Sequence, residues 1–277
     1  MSALPGRALD GPFAYTVPLK SRPGFLSQMA GYIAQLGGIT FPSIGRIWAG
    51  DKLDQEPQII PLSTGNNEMG PFNSSTAYFR GLQRVIDDFM ADSLGVDHDD
   101  GPEWRRYSRI CNQAIKFFVY PELLRGPFPL WHRDFHFKNI LVDDDYNITG
   151  VLDWTDARTA PWETFVLYGD ILHDGAPDGV DKPITEFRAD LVDALRKIEE
   201  DGQPERRGPL ICEIISSGVV DLIDAWLKDG IPRSGEAASE TALRVLRLLF
   251  GEETTFENYR AHSQQPSKQP AWRRRVD

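Results

Sequence analysis

Cysteine is almost absent. Two residues, Cys111 and Cys212, exclude a disulfide framework and a Cys-rich zinc site. Each follows an isoleucine in an apolar stretch, the setting of a buried small hydrophobe rather than a reactive thiol. Long apolar runs are missing too: none approaches the ~20 residues needed to cross a bilayer. The first ten residues lack a basic start followed by an apolar core, so no secretory signal is expected and a cytoplasmic protein is the default. No glycine-rich phosphate loop occurs, neither G-x-G-x-x-G nor G-x-x-x-x-G-K-[ST]. Basic residues are outnumbered, 30 Lys+Arg against 41 Asp+Glu for a net charge of −11, which argues against a surface that coats nucleic acid or anionic lipid.

What is present suits a folded core. Apolar residues make up 41% of the 277 positions. Residues 1–24 are rich in Pro and Gly and read as an extended, hinge-like lead-in. Phe25, Met29, Ile33 and Leu36 then recur at helical spacing, stopped by Gly37-Gly38. Residues 40–73 are full of turn formers, with short strands expected at Ile44–Trp48 and Gln58–Leu62. Ser74 or Ser75 is placed to cap a helix whose apolar stripe includes Tyr78, Leu82, Val85 and Ile86. A third helix is expected from Pro102 to about Tyr120. Three apolar stripes follow in the C-terminal half. The first runs from Phe187 to Ile198 and ends at Gly202, the second from Ile211 to Trp226, and the third from Thr241 to Phe250. Only 127–154 reads firmly as β structure: Ile140-Leu141-Val142, a polar turn at 143–147, and Ile148-Thr149-Gly150-Val151-Leu152. The expected class is mostly α (α+β), with residues 25–260 as the folded body and 261–277 as a polar, disordered tail.

One segment carries chemistry. Trp131-His132-Arg133-Asp134-Phe135-His136-Phe137-Lys138-Asn139 places an Asn five positions after an Asp. A second carboxylate, Asp153, stands at the far end of the expected hairpin. A loop thus offers a carboxylate and a carboxamide, and the returning strand brings another carboxylate beside them. Such hard oxygen groups suit Mg²⁺ and phosphoryl transfer. On this reading Asp134 is the catalytic base, Asn139 and Asp153 hold the metal, and His132 supports the loop. His136 is either a substrate or phosphate contact or a packing group within the loop. Trp131 and Phe135 are expected to anchor the loop in the core.

The text His132-x-Asp134-Phe135-His136-x-x-Asn139-Ile140-Leu141-Val142, then Val151-Leu152-Asp153-Trp154 and Pro161-Trp162-Glu163, resembles the aminoglycoside phosphotransferase/choline-kinase-like family, filamentous-fungal members in particular. Gln28 to Leu36 and Phe41 to Gly45 resemble the first helix region of that family's C-terminal lobe. The resemblance implies a protein-kinase-like fold, with residues 25–260 equivalent to its C-terminal lobe. It also implies transfer of the ATP γ-phosphate, with Mg²⁺, to a small-molecule hydroxyl acceptor.

Two departures bear on this. Thr155-Asp156 follows Trp154 where the family normally has Glu, so Asp156 is a candidate substrate-side carboxylate. The start of the chain resembles the segment just after the hinge between the two lobes. An N-terminal lobe, with its phosphate loop and lysine, is therefore expected to be missing, and no ATP-binding lysine is identified. Tyr15-Thr16-Val17-Pro18-Leu19-Lys20 has a faint V-x-x-K look, but Pro18 interrupts it. The alternatives are a non-catalytic pseudokinase-like binding module, a truncated gene product, or a chain whose partner covers the surface the absent lobe would occupy. Asp143-Asp144-Asp145 reads as a solvated turn, and His98-Asp99-Asp100 and His173-Asp174 as loop polarity. Trp162-Glu163 reads as a structural tie, and Arg273-Arg274-Arg275 as a soluble terminus.

Overall fold

The lead-in lies across the hairpin that later carries the candidate site. The computed structural model describes residues 4–50, 55–64, 67–93, 101–165, 182–202, 211–217, 223 and 235–259. Strand β1 (Arg7–Ala8) pairs antiparallel with the strand at Ile140–Val142, Arg7 opposite Val142 and Ala8 opposite Leu141. Gly6 permits this approach. Its φ is 110°, and a Cβ there would sit 2.9 Å from the Val142 carbonyl oxygen.

The rest of the lead-in is not extended. Helix α1 (Phe13–Thr16) makes one turn, and Phe13, Ala14 and Val17 are buried. Phe13 packs on Phe25 and Phe187 at ring-centroid distances of 5.4 and 6.1 Å. Aromatic burial thus overrides the local Pro and Gly content, each buried Phe contributing roughly 1.5–3 kcal/mol. The V-x-x-K segment is accordingly helix and turn, not strand, with Tyr15 and Lys20 exposed.

Helix α2 (Arg22–Gly38) carries Pro23 in its first turn and buries Phe25, Met29, Ile33 and Leu36, the expected stripe. It packs against α6 (Lys182–Gly202), whose Phe187, Leu191 and Leu195 are fully buried. At the far end of α6, Glu199 accepts hydrogen bonds from the amides of Ile211 and Cys212 at 2.8 and 3.0 Å, capping α7 (Ile211–Ser216). These elements and the hairpin share one core.

A second core joins α3 (Ser75–Ser93), α4 (Gly101–Phe118) and α8 (Gly235–Phe250). The Ser74 hydroxyl accepts from the Ala77 amide and caps α3. Tyr107, Ile110, Cys111, Ala114 and Ile115 form the buried face of α4, against which Ala242, Val245, Leu246 and Leu249 of α8 pack. Both cysteines are buried and free.

β structure exceeds the hairpin alone. A five-stranded antiparallel sheet runs β2-β7-β10-β3-β4, from β2 (Thr40–Phe41), β7 (Phe128–Trp131), β10 (Arg158–Thr159), β3 (Arg46–Trp48) and β4 (Gln58–Ile60). The expected short strands at 44–48 and 58–62 belong to it. Beside it, β5 (Leu62–Thr64) and β6 (Asn67–Met69) make a small hairpin. The β2 and β10 strands escape a periodicity reading because they are two residues long, while β7 lies within the stretch 127–154 read as β. Their pairing is fixed from a distance: the buried Thr159 hydroxyl donates to Ser43 O and accepts from the Gly45 amide, both at 2.8 Å. The architecture is α+β, with several antiparallel sheets and about half of the described residues helical. No helix among the described residues is long and apolar enough to cross a membrane. His98-Asp99-Asp100, His173-Asp174, most of the Val219–Trp226 stripe and the tail at 261–277 lie outside the described residues.

Candidate active site

Strand β7 ends at Trp131, and the loop that follows carries the motif. Trp131 and Phe135 are buried, the anchors expected from the sequence. Between them the backbone folds tightly. The Asp134 amide donates to the His132 carbonyl at 2.8 Å, a γ-turn centred on Arg133, whose φ is 67°. A non-glycine residue held there stores on the order of 1–3 kcal/mol of strain, the kind of outlier that gathers at functional sites. Asp153 is also at positive φ (56°).

His132 is fully buried. Its Nε2 lies 2.8 Å from the Leu152 carbonyl oxygen. A carbonyl only accepts, so Nε2 carries the proton and donates. Burial pushes this imidazole below its ordinary pKa and keeps it neutral. Its ring meets Trp154 edge-on at 4.6 Å and Phe135 at 5.8 Å. The residue thus joins the loop to the end of the hairpin.

A 3₁₀ turn over Phe137–Asn139 delivers the carboxamide. Asn139 Nδ2 donates to the Asp134 carbonyl and to Asp134 Oδ2, both at 2.9 Å. His136 Nδ1 accepts from the Lys138 amide, so its Nε2 bears the proton and faces Asp134 Oδ1 at 3.2 Å. His136 is therefore bonded within the loop. Each Asp134 oxygen receives one hydrogen bond from the loop, and 47% of the side chain is exposed to solvent. Of the roughly four acceptor directions of a carboxylate, about two remain open.

The hairpin brings in the second carboxylate. Strands β8 (Ile140–Val142) and β9 (Ile148–Val151) pair antiparallel, Ile140 opposite Val151. The Leu152 amide then donates to the Asn139 carbonyl at 2.8 Å, which sets Asp153 one residue beyond Asn139's partner. Asp134 and Asp153 both lie close enough to act electrostatically on the His132 ring. The turn is a solvated Asx turn: Asp143 accepts from the amides of Asp145 and Asn147 and from Asn147 Nδ2, which holds its carboxyl below the usual range.

Asp156 is engaged rather than free. Arg133 Nη1 lies 2.6 Å from its Oδ2, an exposed pair worth about 0–1 kcal/mol. Glu163 Oε1 accepts from the Tyr120 amide, and Trp162 Nε1 donates to Pro127 O. Both sit in α5 (Trp162–Phe165), the structural tie expected. Lys116 lies over the Phe117 ring at 4.7 Å, and Lys52 lies outside the described residues.

Sequence reasoning missed Gln28. From α2 its Oε1 accepts from the Ile148 amide at 3.0 Å and its Nε2 donates to Asn147 Oδ1 at 3.3 Å, pinning the hairpin turn. No local pattern signals that contact. Among the described residues no group of three His, Cys, Asp or Glu is placed to hold a metal. The donors here are instead two carboxylates and an amide oxygen.

The site thus offers an exposed, loop-held carboxylate beside a set of oxygen donors, within an α+β fold. Comparison with known families agrees with that character. Residues 74–164, from the cap of α3 to α5, match the model of the phosphotransferase enzyme family (APH). The match spans about a third of the chain and contains every candidate residue, and it supports a phosphotransferase-type function at the level of the family. No curated protein matches the chain significantly.

Proposed function

We propose that the chain is a small-molecule phosphotransferase of the aminoglycoside phosphotransferase-like type, with the helical body acting as the C-terminal lobe of a kinase-like fold. ATP is the phosphoryl donor and a small-molecule hydroxyl the acceptor. The observation that carries this reading is Asp134, half-exposed and held by Asn139 and His136, with the hairpin's Leu152 bonded to Asn139 so that Asp153 follows next to it.

The donor set fits Mg²⁺. Asn139 turns its Nδ2 toward Asp134, which leaves Oδ1 as a hard oxygen donor, and the Asp153 carboxylate is exposed. Asn139 and Asp153 would hold the ion, which when bound neutralises charge developing on the transferred phosphate. The chain's own residues do the rest. Asp134 accepts the acceptor's hydroxyl proton as the oxygen forms its bond to the terminal phosphorus. The bond to the ADP oxygen breaks, and its electron pair leaves with ADP. Asn139 and His136 keep the Asp134 carboxylate in place, and His132 keeps the hairpin end against the loop.

Transfer of labelled phosphate from ATP to a panel of hydroxylated small molecules tests the reading. Asp134→Asn should lower kcat by about 10²–10⁴-fold with the fold intact by circular dichroism. Asp153→Asn should abolish the Mg²⁺ dependence of whatever activity remains. Unchanged turnover in both variants refutes the mechanism. Absence of Mg·ATP binding by calorimetry favours the non-catalytic alternative.

A further inference from the structure

The sheet beside the loop carries charge that the proposed chemistry leaves unused. In β10, Arg158 stands opposite Trp131 of β7 on one side and Arg46 of β3 on the other. Directly paired residues share a sheet face, so Trp131, Arg158 and Arg46 form one row, from buried to exposed. The Arg158 guanidinium lies over the Trp131 ring at 5.3 Å, and its Nε is buried with no hydrogen-bond partner among the described residues. Arg133, two residues beyond Trp131, adds a third guanidinium. Arg133 and Arg158 are near enough to interact electrostatically, and the carboxylate among them is Asp156.

Like charges directly opposite in a sheet are destabilising. Arg133 and Arg158 flank the Asp156 carboxylate, and Arg46 stands opposite Arg158 in the register, a local concentration of cations on a chain of net charge −11. Its position is specific. Asp134 sits between the end of β7 and the start of β8. Arg133 is the residue immediately before Asp134, and Trp131, at the head of the row, ends the strand that leads into the loop. A base must lie within hydrogen-bond reach of the hydroxyl it deprotonates, so an oxyanion held at Arg133 lies next to the acceptor's place. Guanidinium matches carboxylate and phosphate oxygens in bidentate fashion.

We propose that Arg46, Arg133 and Arg158 form an oxyanion-recognition surface beside Asp134, and that the hydroxyl acceptor carries a carboxylate or phosphate group. The word acceptor rests on the phosphotransferase reading; anion recognition does not.

The test is binding to the full chain, followed by calorimetry and tryptophan fluorescence, with four probes: glycerate, glycerol 3-phosphate, glycerol and choline. At least one anionic probe should bind at millimolar concentration, and its identity tells carboxylate from phosphate. Arg158→Gln and the exposed Arg46→Gln should each weaken that binding about tenfold or more, the scale of a lost charge-assisted hydrogen bond. Arg46→Gln keeps the test valid should Arg158→Gln unfold. Anion affinity unchanged in Arg46→Gln, binding of glycerol or choline equal to that of the anions, or no binding of either anion overturns the proposal. So does weakened Mg·ATP affinity in the arginine variants with anion binding unchanged, which would place the row on the donor side. Arginine-dependent anion binding without any phosphate transfer would sink the phosphotransferase reading and leave this proposal standing. Transfer to a neutral or cationic acceptor only would do the reverse.

Discussion

Replacing His132 tests the joint between the loop and the hairpin. The side chain is fully buried, donates to Leu152 O at 2.8 Å and packs on Trp154 and Phe135. In His132→Ala the lost ring leaves a cavity and removes two aromatic contacts, together about 2 kcal/mol for a ring smaller and more polar than Phe. The orphaned Leu152 carbonyl adds about 1–3 kcal/mol. Against this, the variant also removes Nδ1, a buried acceptor with no partner among the described residues, which returns part of the loss. The expected net is roughly 3 kcal/mol, and His132→Gln, which can still donate to Leu152, should recover about 1 kcal/mol of it. Urea denaturation followed by tryptophan fluorescence measures both. A pH series adds a second signature. The folded pKa is lowered from 6.5, so above that value histidine is neutral in both states and its contribution is complete. As pH falls below 6.5 the unfolded chain takes up the proton first and stability declines until the folded pKa is reached. The wild-type advantage over His132→Ala should therefore shrink in that range. A His132→Ala protein within about 0.5 kcal/mol of wild type, or a gap that stays constant on acidification, would refute the reasoning.

Thr159→Val should cost roughly 2–4 kcal/mol by thermal melting, since the Gly45 amide and Ser43 carbonyl both lose a buried partner, while Thr159→Ser should retain most of that. Equal stability of the Val variant would mean that Thr159 does not tie β10 to the Ser43–Gly45 turn. Burial pushes the Cys111 thiol far above its ordinary range and the Cys212 thiol up to about 12, with Glu199 beside the latter. Neither should react with an aromatic disulfide reagent at neutral pH in the native protein, and both should react in denaturant.

The sequence revealed those features whose causes are local. Phe25, Met29, Ile33 and Leu36 announce α2 because a helix places them on one face. Ile140–Val142 and Ile148–Leu152 announce the hairpin because an Asx-forming turn separates two apolar runs. That hairpin in turn sets Asp153 one residue past the partner of Asn139, so this juxtaposition was legible. The five-stranded sheet was not. Thr40–Phe41 and Arg158–Thr159 are too short for a period, and what makes them strands is a partner far along the chain, Phe128–Pro129 for the first and Arg46 for Arg158. The arginine row was hidden for the same reason, because Arg46 and Arg158 are neighbours only through register. Phe13 was lost among prolines because its burial comes from Phe25 and Phe187, which the local pattern does not contain.

The hairpin's outer bonds bear on how the protein reaches and leaves its native state. Thr149 Oγ1 donates to Pro5 O across a separation of 144 residues, and Gln28 grips Asn147 and Ile148 across 119 and 120. The turn itself, closed by Asp143 and Asn147, is local and can form early. Its docking waits until chain segments far apart have met, although loop closure adds only about 0.6 kcal/mol per doubling of length. Once docked, the hairpin is clamped from both sides and has no independent way to fray. Proton exchange at the Leu152 amide should then occur only through opening of the whole domain, so the geometry around Asp134 persists as long as the fold does.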